Sequence, residues 1–136
     1  MPQAAEEVYR ALAPFKERRP TRFWVPALAL YTGMRMNEAC QLYRTDLVDI
    51  DGVKCLNLSE FDQAGRRSPD KRLKTQTSER YVPLHKALLD AGFVEYVANQ
   101  TEGGRLFPDL TLGPDGRYSH GFSKWFGAFK RTCGFD

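Results

Sequence analysis

The sequence predicts a single α+β domain, rich in helix, with one small antiparallel sheet. The chain has 136 residues, of which 42% are hydrophobic and 27% are charged, as in one soluble globular domain. Apolar residues recur at helical spacing towards both ends of the chain. In the middle, residues 47–50 and 53–58 flank the pair Asp51-Gly52, which is typical of a tight type I′ hairpin turn. Helices on either side of a local sheet indicate an α+β architecture.

The N-terminal part predicts two helices. Residues 4–13 form a short amphipathic helix, which the stretch 16–20 closes. Thr21 is the predicted N-cap of a second helix that runs to Tyr31, although Pro26 leaves its start open. This helix is apolar on nearly all sides, so we expect it to be buried.

A turn and a third helix follow. Gly33 can adopt the left-handed conformation that ends the second helix. Asn37 is the predicted N-cap of a helix over residues 38–43, which buries Ala39 and Leu42.

The sheet is predicted to continue beyond the hairpin. Residues 71–74 and 80–84 are expected to pair as strands around residues 75–79.

The last part of the chain predicts helices over residues 85–91, 93–100 and 119–133. In the last helix, aromatic residues at i, i+3, i+4 and i+7 form one stripe: Phe122, Trp125, Phe126 and Phe129. Such a stripe typically packs in the core, and a surface that stacks on bases is the alternative.

Cysteine and histidine usage argues against disulfides and metal sites. Cys40, Cys55 and Cys133 are odd in number and widely spaced, so we expect reduced thiols that fill apolar space. The two histidines lie near no cysteine, so we expect no metal site.

No apolar run reaches the roughly 18 residues of a membrane helix, and the acidic start is unlike a signal peptide. We therefore expect a cytoplasmic protein with no membrane partner.

Positive charge is concentrated in one stretch, whereas the whole chain has a net charge of +3. The basic residues between positions 64 and 86 are Arg66, Arg67, Lys71, Arg72, Lys74, Arg80 and Lys86. Only Asp70 and Glu79 oppose them there. This stretch either faces a polyanion or forms a solvated loop.

Arg35 lies in the predicted break between the second and third helices. A guanidinium beside a helix N-terminus favours an anion such as phosphate. The alternative is that Arg35 pairs with Glu38 and fixes the turn.

The segment 32–42 resembles the first catalytic box of the tyrosine recombinases (phage integrase family). The family pattern Thr-Gly-x-Arg-x-x-Glu-x-x-x-Leu is met here by Thr32, Gly33, Arg35, Glu38 and Leu42. Three later stretches also resemble the family, in the same order: Lys74-Thr75 before Arg80-Tyr81-Val82-Pro83-Leu84, then Arg105-Leu106-Phe107-Pro108, then Phe122-Ser123-Lys124-Trp125-Phe126. The resemblance implies a helix-rich catalytic domain with a three-stranded antiparallel sheet.

It also implies an activity, DNA integration by site-specific recombination. In this family a tyrosine attacks a phosphodiester of double-stranded DNA and forms a 3′-phosphotyrosyl link, without metal or cofactor. The full-length enzyme is expected to assemble as a tetramer on DNA. A mobile genetic element, such as a phage or genomic island, is the expected source of such an integrase.

The resemblance assigns roles to residues of this chain. Arg35 would hold the equatorial phosphate oxygens, and Glu38 would hold neighbouring basic groups in place. Lys74 would protonate the leaving 5′-oxygen, with Lys71 as the alternative. The residues expected to contact DNA phosphates are Arg66, Arg67, Lys71, Arg72 and Arg80.

The chain departs from the family in one respect. It contains no His-x-x-Arg box, and none of its six tyrosines follows such a box. We therefore expect residues 1–136 to be the N-terminal half of a catalytic domain, without the N-terminal core-binding domain and inactive alone. The alternatives are a non-catalytic DNA-binding or regulatory remnant of an integrase and, less like this sequence, a helix-turn-helix regulator built on residues 21–43.

Overall fold

The structure, a computed structural model, describes residues 3–61, 64–73 and 80–134. Within these residues, seven α-helices accompany one three-stranded antiparallel sheet, so the predicted α+β class is confirmed. The helices are α1 (Gln3–Leu12), α2 (Phe15–Arg18), α3 (Pro20–Thr32), α4 (Met36–Cys40), α5 (Lys86–Asp90), α6 (Phe93–Ala98) and α7 (Ser119–Thr132). The strands are β1 (Leu47–Ile50), β2 (Val53–Asn57) and β3 (Tyr81–Pro83), and a 3-10 turn covers Arg44–Asp46.

Helix α3 forms the centre of the core and contacts α1, α2, α4 and α5. Its Trp24 and Leu28 side chains are buried, as predicted. The predicted cap is wrong: α3 begins at Pro20, whose fixed φ suits the first helical position, so Thr21 lies inside the helix. The Thr21 hydroxyl instead donates a hydrogen bond to Asp109.

The turn between α3 and α4 is confirmed at Gly33, whose φ of 74° lies in the left-handed region. Helix α4 is shorter than predicted, and its N-cap is Arg35 rather than Asn37. Ala39 and Leu42 are buried, as expected. The second helix of the helix-turn-helix alternative would be α4, which has five residues with Glu38, Ala39 and Cys40 buried, and this leaves it little surface for base contacts in a groove.

The hairpin has the predicted geometry. Asp51 and Gly52 have φ values of 50° and 82°, as a type I′ turn requires. The sheet order is β1-β2-β3, with Leu56 of β2 opposite Leu47 on one side and Val82 on the other.

The predicted strand over residues 71–74 is wrong where it is described. Residues 71–73 run as irregular chain because the N–H of Arg72 bonds to the Oε1 atom of Gln41, at 2.7 Å, instead of to a strand. Residue 74 and the predicted turn at 75–79 lie outside the described residues.

The aromatic stripe of α7 is only partly a core feature. Phe122 is buried, whereas Trp125, Phe126 and Phe129 are half-buried and stack on one another. The guanidinium of Arg22 lies 4.5 Å from the Trp125 ring centroid. The stripe therefore has one buried end, and its remaining rings are partly open to solvent.

Two of the three cysteines behave as expected. Cys40 and Cys55 are free and buried, whereas Cys133 is exposed, so its prediction as apolar filler is wrong. The pKa of Cys40 is raised to about 12, mainly by burial and to a lesser extent by the negative charge of Asp109.

In the part of the chain that the structure describes, no helix has the length and apolar character needed to cross a bilayer.

Candidate functional site

Three arginines from different segments line one cleft of roughly 300 Å³, which we call the arginine cleft. Arg35 comes from the start of α4, Arg72 from the segment after β2, and Arg117 from the loop before α7. Asn37 and Glu38 of α4 complete the described lining. The described lining carries three guanidiniums and one carboxylate, so this part of the cleft is positively charged.

Glu38 is the buried acid of the arginine cleft, with a side chain only 2% exposed. Its Oε1 atom accepts the backbone N–H of Arg35 at 2.7 Å, which caps α4. Its Oε2 atom lies 3.2 Å from Nη1 of Arg80, and a second contact joins Nη2 of Arg80 to Oε1 at 3.4 Å. A carboxylate buried to this extent requires such partners, because desolvation penalises an unpaired charge.

Arg80 therefore contacts the Glu38 carboxylate, whereas the sequence analysis expected it to contact a DNA phosphate. Its guanidinium is directed to Glu38, inside the protein, rather than only to solvent where a phosphate would bind. The side chain remains 37% exposed, so it neutralises Glu38 from the rim.

Arg35 combines the two alternatives considered for it. Its Nη1 atom lies 3.9 Å from Oε2 of Glu38, a long ion pair, and half of its side chain is exposed. The backbone N–H of Arg35, the N-cap residue of this five-residue helix, is already bonded to the carboxylate of Glu38. We expect an anion at Arg35 to be held by its exposed guanidinium.

Asn37 forms hydrogen bonds to the other segments that line the cleft, whereas the sequence analysis predicted only that it caps a helix. Its Nδ2 atom donates to the carbonyl of Arg72 at 3.2 Å and to Oε1 of Gln41 at 3.1 Å. Its Oδ1 atom accepts the N–H of Ser119 at 3.2 Å. The backbones that carry Arg72 and Arg117 are thus both anchored to α4.

Asp70 also connects segments that are far apart in the sequence. Its Oδ2 atom accepts hydrogen bonds from the hydroxyls of Tyr43, at 2.6 Å, and Tyr118, at 2.7 Å. Burial acts to raise the pKa of Asp70, but these hydrogen bonds and the charge of Arg105 outweigh it and lower the pKa. Burial and the bond to Asp70 raise the pKa of both tyrosines.

Lys71 is in the protein interior, with a side chain 2% exposed. Its Nζ atom lies 2.8 Å from Oδ2 of Asp46 and donates to the carbonyl of Ser59 at 3.0 Å. It therefore has no surface with which to contact a phosphate, and its expected DNA contact is wrong in this conformation. The same burial argues against Lys71 as the alternative general acid.

The remaining expected residues lie elsewhere or are not described. Arg66 and Arg67 are exposed in the loop after β2, and Arg67 pairs with Glu60 at 3.0 Å; neither belongs to the described lining of the cleft. Lys74, the expected general acid, lies outside the described residues. Among the residues that are described, no cluster of three or more His, Cys, Asp or Glu is placed to hold a metal ion.

Sequence reasoning missed Arg117. The only signal for it is a basic residue in a loop rich in glycine and proline, directly before a helix, and that signal is too common to single out one arginine.

Comparison of the chain with protein-family models, with curated proteins and with solved structures found no match.

Proposed function

We propose that this chain forms part of the catalytic domain of a site-specific tyrosine recombinase, which cuts and rejoins double-stranded DNA. The arginine cleft would hold a phosphodiester of that DNA. One observation carries the proposal: Arg35, Arg72 and Arg117 converge on one cleft from distant parts of the sequence. The carboxylate of that cleft, Glu38, is already engaged by Arg80. An anion is the ligand that such a set of cations fits.

In this proposal Arg35 stabilises the charge that builds up on the equatorial oxygens during phosphoryl transfer. A guanidinium suits this role because its planar fork can hold two oxygens at once. Glu38 acts through Arg35: its hydrogen bond to the backbone of Arg35, together with its ion pair to Arg80, fixes the start of α4. Glu38 is thus a positioning residue.

Lys74 is proposed as the general acid that protonates the leaving 5′-oxygen. The burial of Lys71 against Asp46 supports this choice between the two lysines. The nucleophilic tyrosine and the His-x-x-Arg box of the family pattern have no counterpart in this sequence. The proposal therefore assigns this chain a part of the site, within a larger enzyme that assembles as a tetramer on DNA.

A second candidate function is a DNA-binding or regulatory protein that retains the fold without catalysis. The same arginine cleft supports it, because phosphate contacts position a protein on DNA whether or not cleavage follows. Both candidates require the arginine cleft to bind DNA, and they differ only in whether bond cleavage follows.

DNA binding is tested first, by fluorescence anisotropy with a short labelled duplex over a range of salt concentrations. We expect weak binding that falls steeply between about 50 and 200 mM salt, because each phosphate contact releases counterions. Arg35→Gln should weaken binding, whereas Arg10→Gln, a matched loss of one exposed charge on α1, should change it little. Affinity that does not change with salt, or equal effects of the two variants, would remove the arginine cleft from the interface.

Catalysis is tested in an enzyme that also carries the tyrosine. Arg35→Lys keeps the charge but loses the fork, so cleavage should fall by about two orders of magnitude. Lys74→Ala should also slow cleavage, and a substrate with sulfur at the leaving position should restore most of the rate, because a thiolate needs no proton. Sulfur should not rescue the Arg35 variant. Equal rescue of both variants would show that Lys74 is not the general acid.

A further inference from the structure

Two arginines of the cleft carry charge that their described contacts do not neutralise. Nη1 of Arg72 donates to the backbone carbonyls of Pro69 and Lys71, which are neutral partners. Among the described residues, the side chain of Arg117 has no ion pair, and Glu38 is turned towards Arg80. Like charges that line one cleft repel one another, and an anion bound between them lowers that cost.

The backbone of Arg117 is held firmly although its side chain is exposed. Its N–H donates to Oδ1 of Asp115 at 3.0 Å, and its carbonyl accepts the N–H of Gly113 at 2.9 Å. The next residue, Tyr118, is buried and bonded to Asp70. Only the rotamer of Arg117 remains to be ordered when a ligand binds, which lowers the entropic cost of binding.

We propose that Arg117 contacts a backbone phosphate of double-stranded DNA in the arginine cleft, next to Arg72. This inference rests on the proposed function, because it takes DNA as the ligand of the cleft. Its chemistry is that of a guanidinium fork on a phosphodiester, which gives a charge-assisted contact without sequence readout. It assigns to the loop before α7 a role in binding that none of the sequence motifs indicates.

The test measures the affinity of the intact 136-residue chain for a short labelled duplex at several salt concentrations. We compare Arg117→Gln, Arg117→Lys and the control Arg10→Gln, each checked for an unchanged melting temperature. Removing one phosphate contact should lower the slope of log affinity against log salt by about 1. The loss of affinity in Arg117→Gln should therefore be about threefold smaller at 200 mM than at 50 mM salt. Arg117→Lys should restore the slope.

The outcomes separate this inference from the proposed function. If the chain binds DNA but Arg117→Gln has the affinity and slope of the Arg10→Gln control, the inference on Arg117 is wrong while the proposed function stands. If the chain does not bind DNA, both are wrong. Inorganic phosphate is the second probe, used as a competitor. If Arg117→Gln weakens phosphate binding but leaves DNA binding unchanged, the cleft is a small-anion site and the DNA contact is wrong.

Discussion

Replacing Lys71 with Met is the sharpest test of the structure, because sequence and structure give this residue opposite environments. The resemblance assigns Lys71 a phosphate contact, which requires a lysine at the surface. The structure buries it, with 2% of the lysine side chain and 3% of the Asp46 side chain exposed and 2.8 Å between Nζ and Oδ2. Methionine keeps most of the apolar volume and removes the ammonium group, so Lys71→Met removes the ion pair together with the hydrogen bond to the Ser59 carbonyl.

The expected loss is large. After Lys71→Met, Asp46 keeps the backbone N–H of Tyr43, at 2.7 Å, but loses the cation that offsets its buried charge. Removing one partner of a fully buried pair costs about 3–5 kcal/mol. A domain is usually stable by about 5–15 kcal/mol, so a large part of the unfolding free energy would be lost. With a urea m-value of about 2 kcal/mol/M, the midpoint should fall by roughly 1.5–2.5 M.

The assay is urea unfolding followed by circular dichroism at the helix band. Lys86→Met is the matched control, because Lys86 also pairs with an aspartate, Asp90 at 2.7 Å, but both side chains are exposed. Its midpoint should stay within error of the wild type. Adding Asp46→Asn to Lys71→Met should recover part of the loss, since the uncompensated charge is removed. A loss below about 1 kcal/mol for Lys71→Met would refute the buried pair and return Lys71 to the surface.

Three further outcomes are expected. The pKa of Asp70 is lowered in the folded state, so its contribution to stability is present above the ordinary carboxyl pKa and is lost as the pH falls through the folded pKa. Between pH 6 and a pH below 4, urea titrations should therefore show a smaller loss of unfolding free energy in Asp70→Asn than in the wild type. Equal losses in the two proteins would contradict this. A thiol reagent should modify Cys133 rapidly, with Cys40 and Cys55 reacting only on unfolding; rapid reaction of a second thiol would show that the core is open. Incubation of this chain with a nicked duplex should give no covalent product on a denaturing gel, since the sequence lacks the tyrosine of the family pattern, and a product resistant to denaturation would disprove this.

The local features that one residue pair determines could be predicted from the sequence. The Asp51-Gly52 turn and the left-handed Gly33 are correct because few other residues adopt positive φ, so the signal is local. The α+β class follows from the same kind of signal. The start of α3 was misplaced because Pro20 and Thr21 both favour a helix start and the sequence does not rank them.

Sequence reasoning found neighbours in the candidate site only where their contact is local. Arg35 and Glu38 are three residues apart and meet through a helix cap, which a motif can represent. Lys71 and Asp46 meet across the fold, so the charge pattern could not show that Lys71 is buried. Arg117 joins the cleft through tertiary contacts alone.

The hydrogen bonds of Asn37 and Asp70 bear on how the cleft opens. They join α4, the segment before Arg72 and the start of α7, which are far apart along the chain. Segments joined in this way tend to unfold together, as one cooperative unit. Amide hydrogens at the start of α7 and in residues 70–73 should therefore exchange with solvent at matching rates. Opening of this unit would disperse the three arginines at once, so the cleft lasts only as long as the unit stays folded.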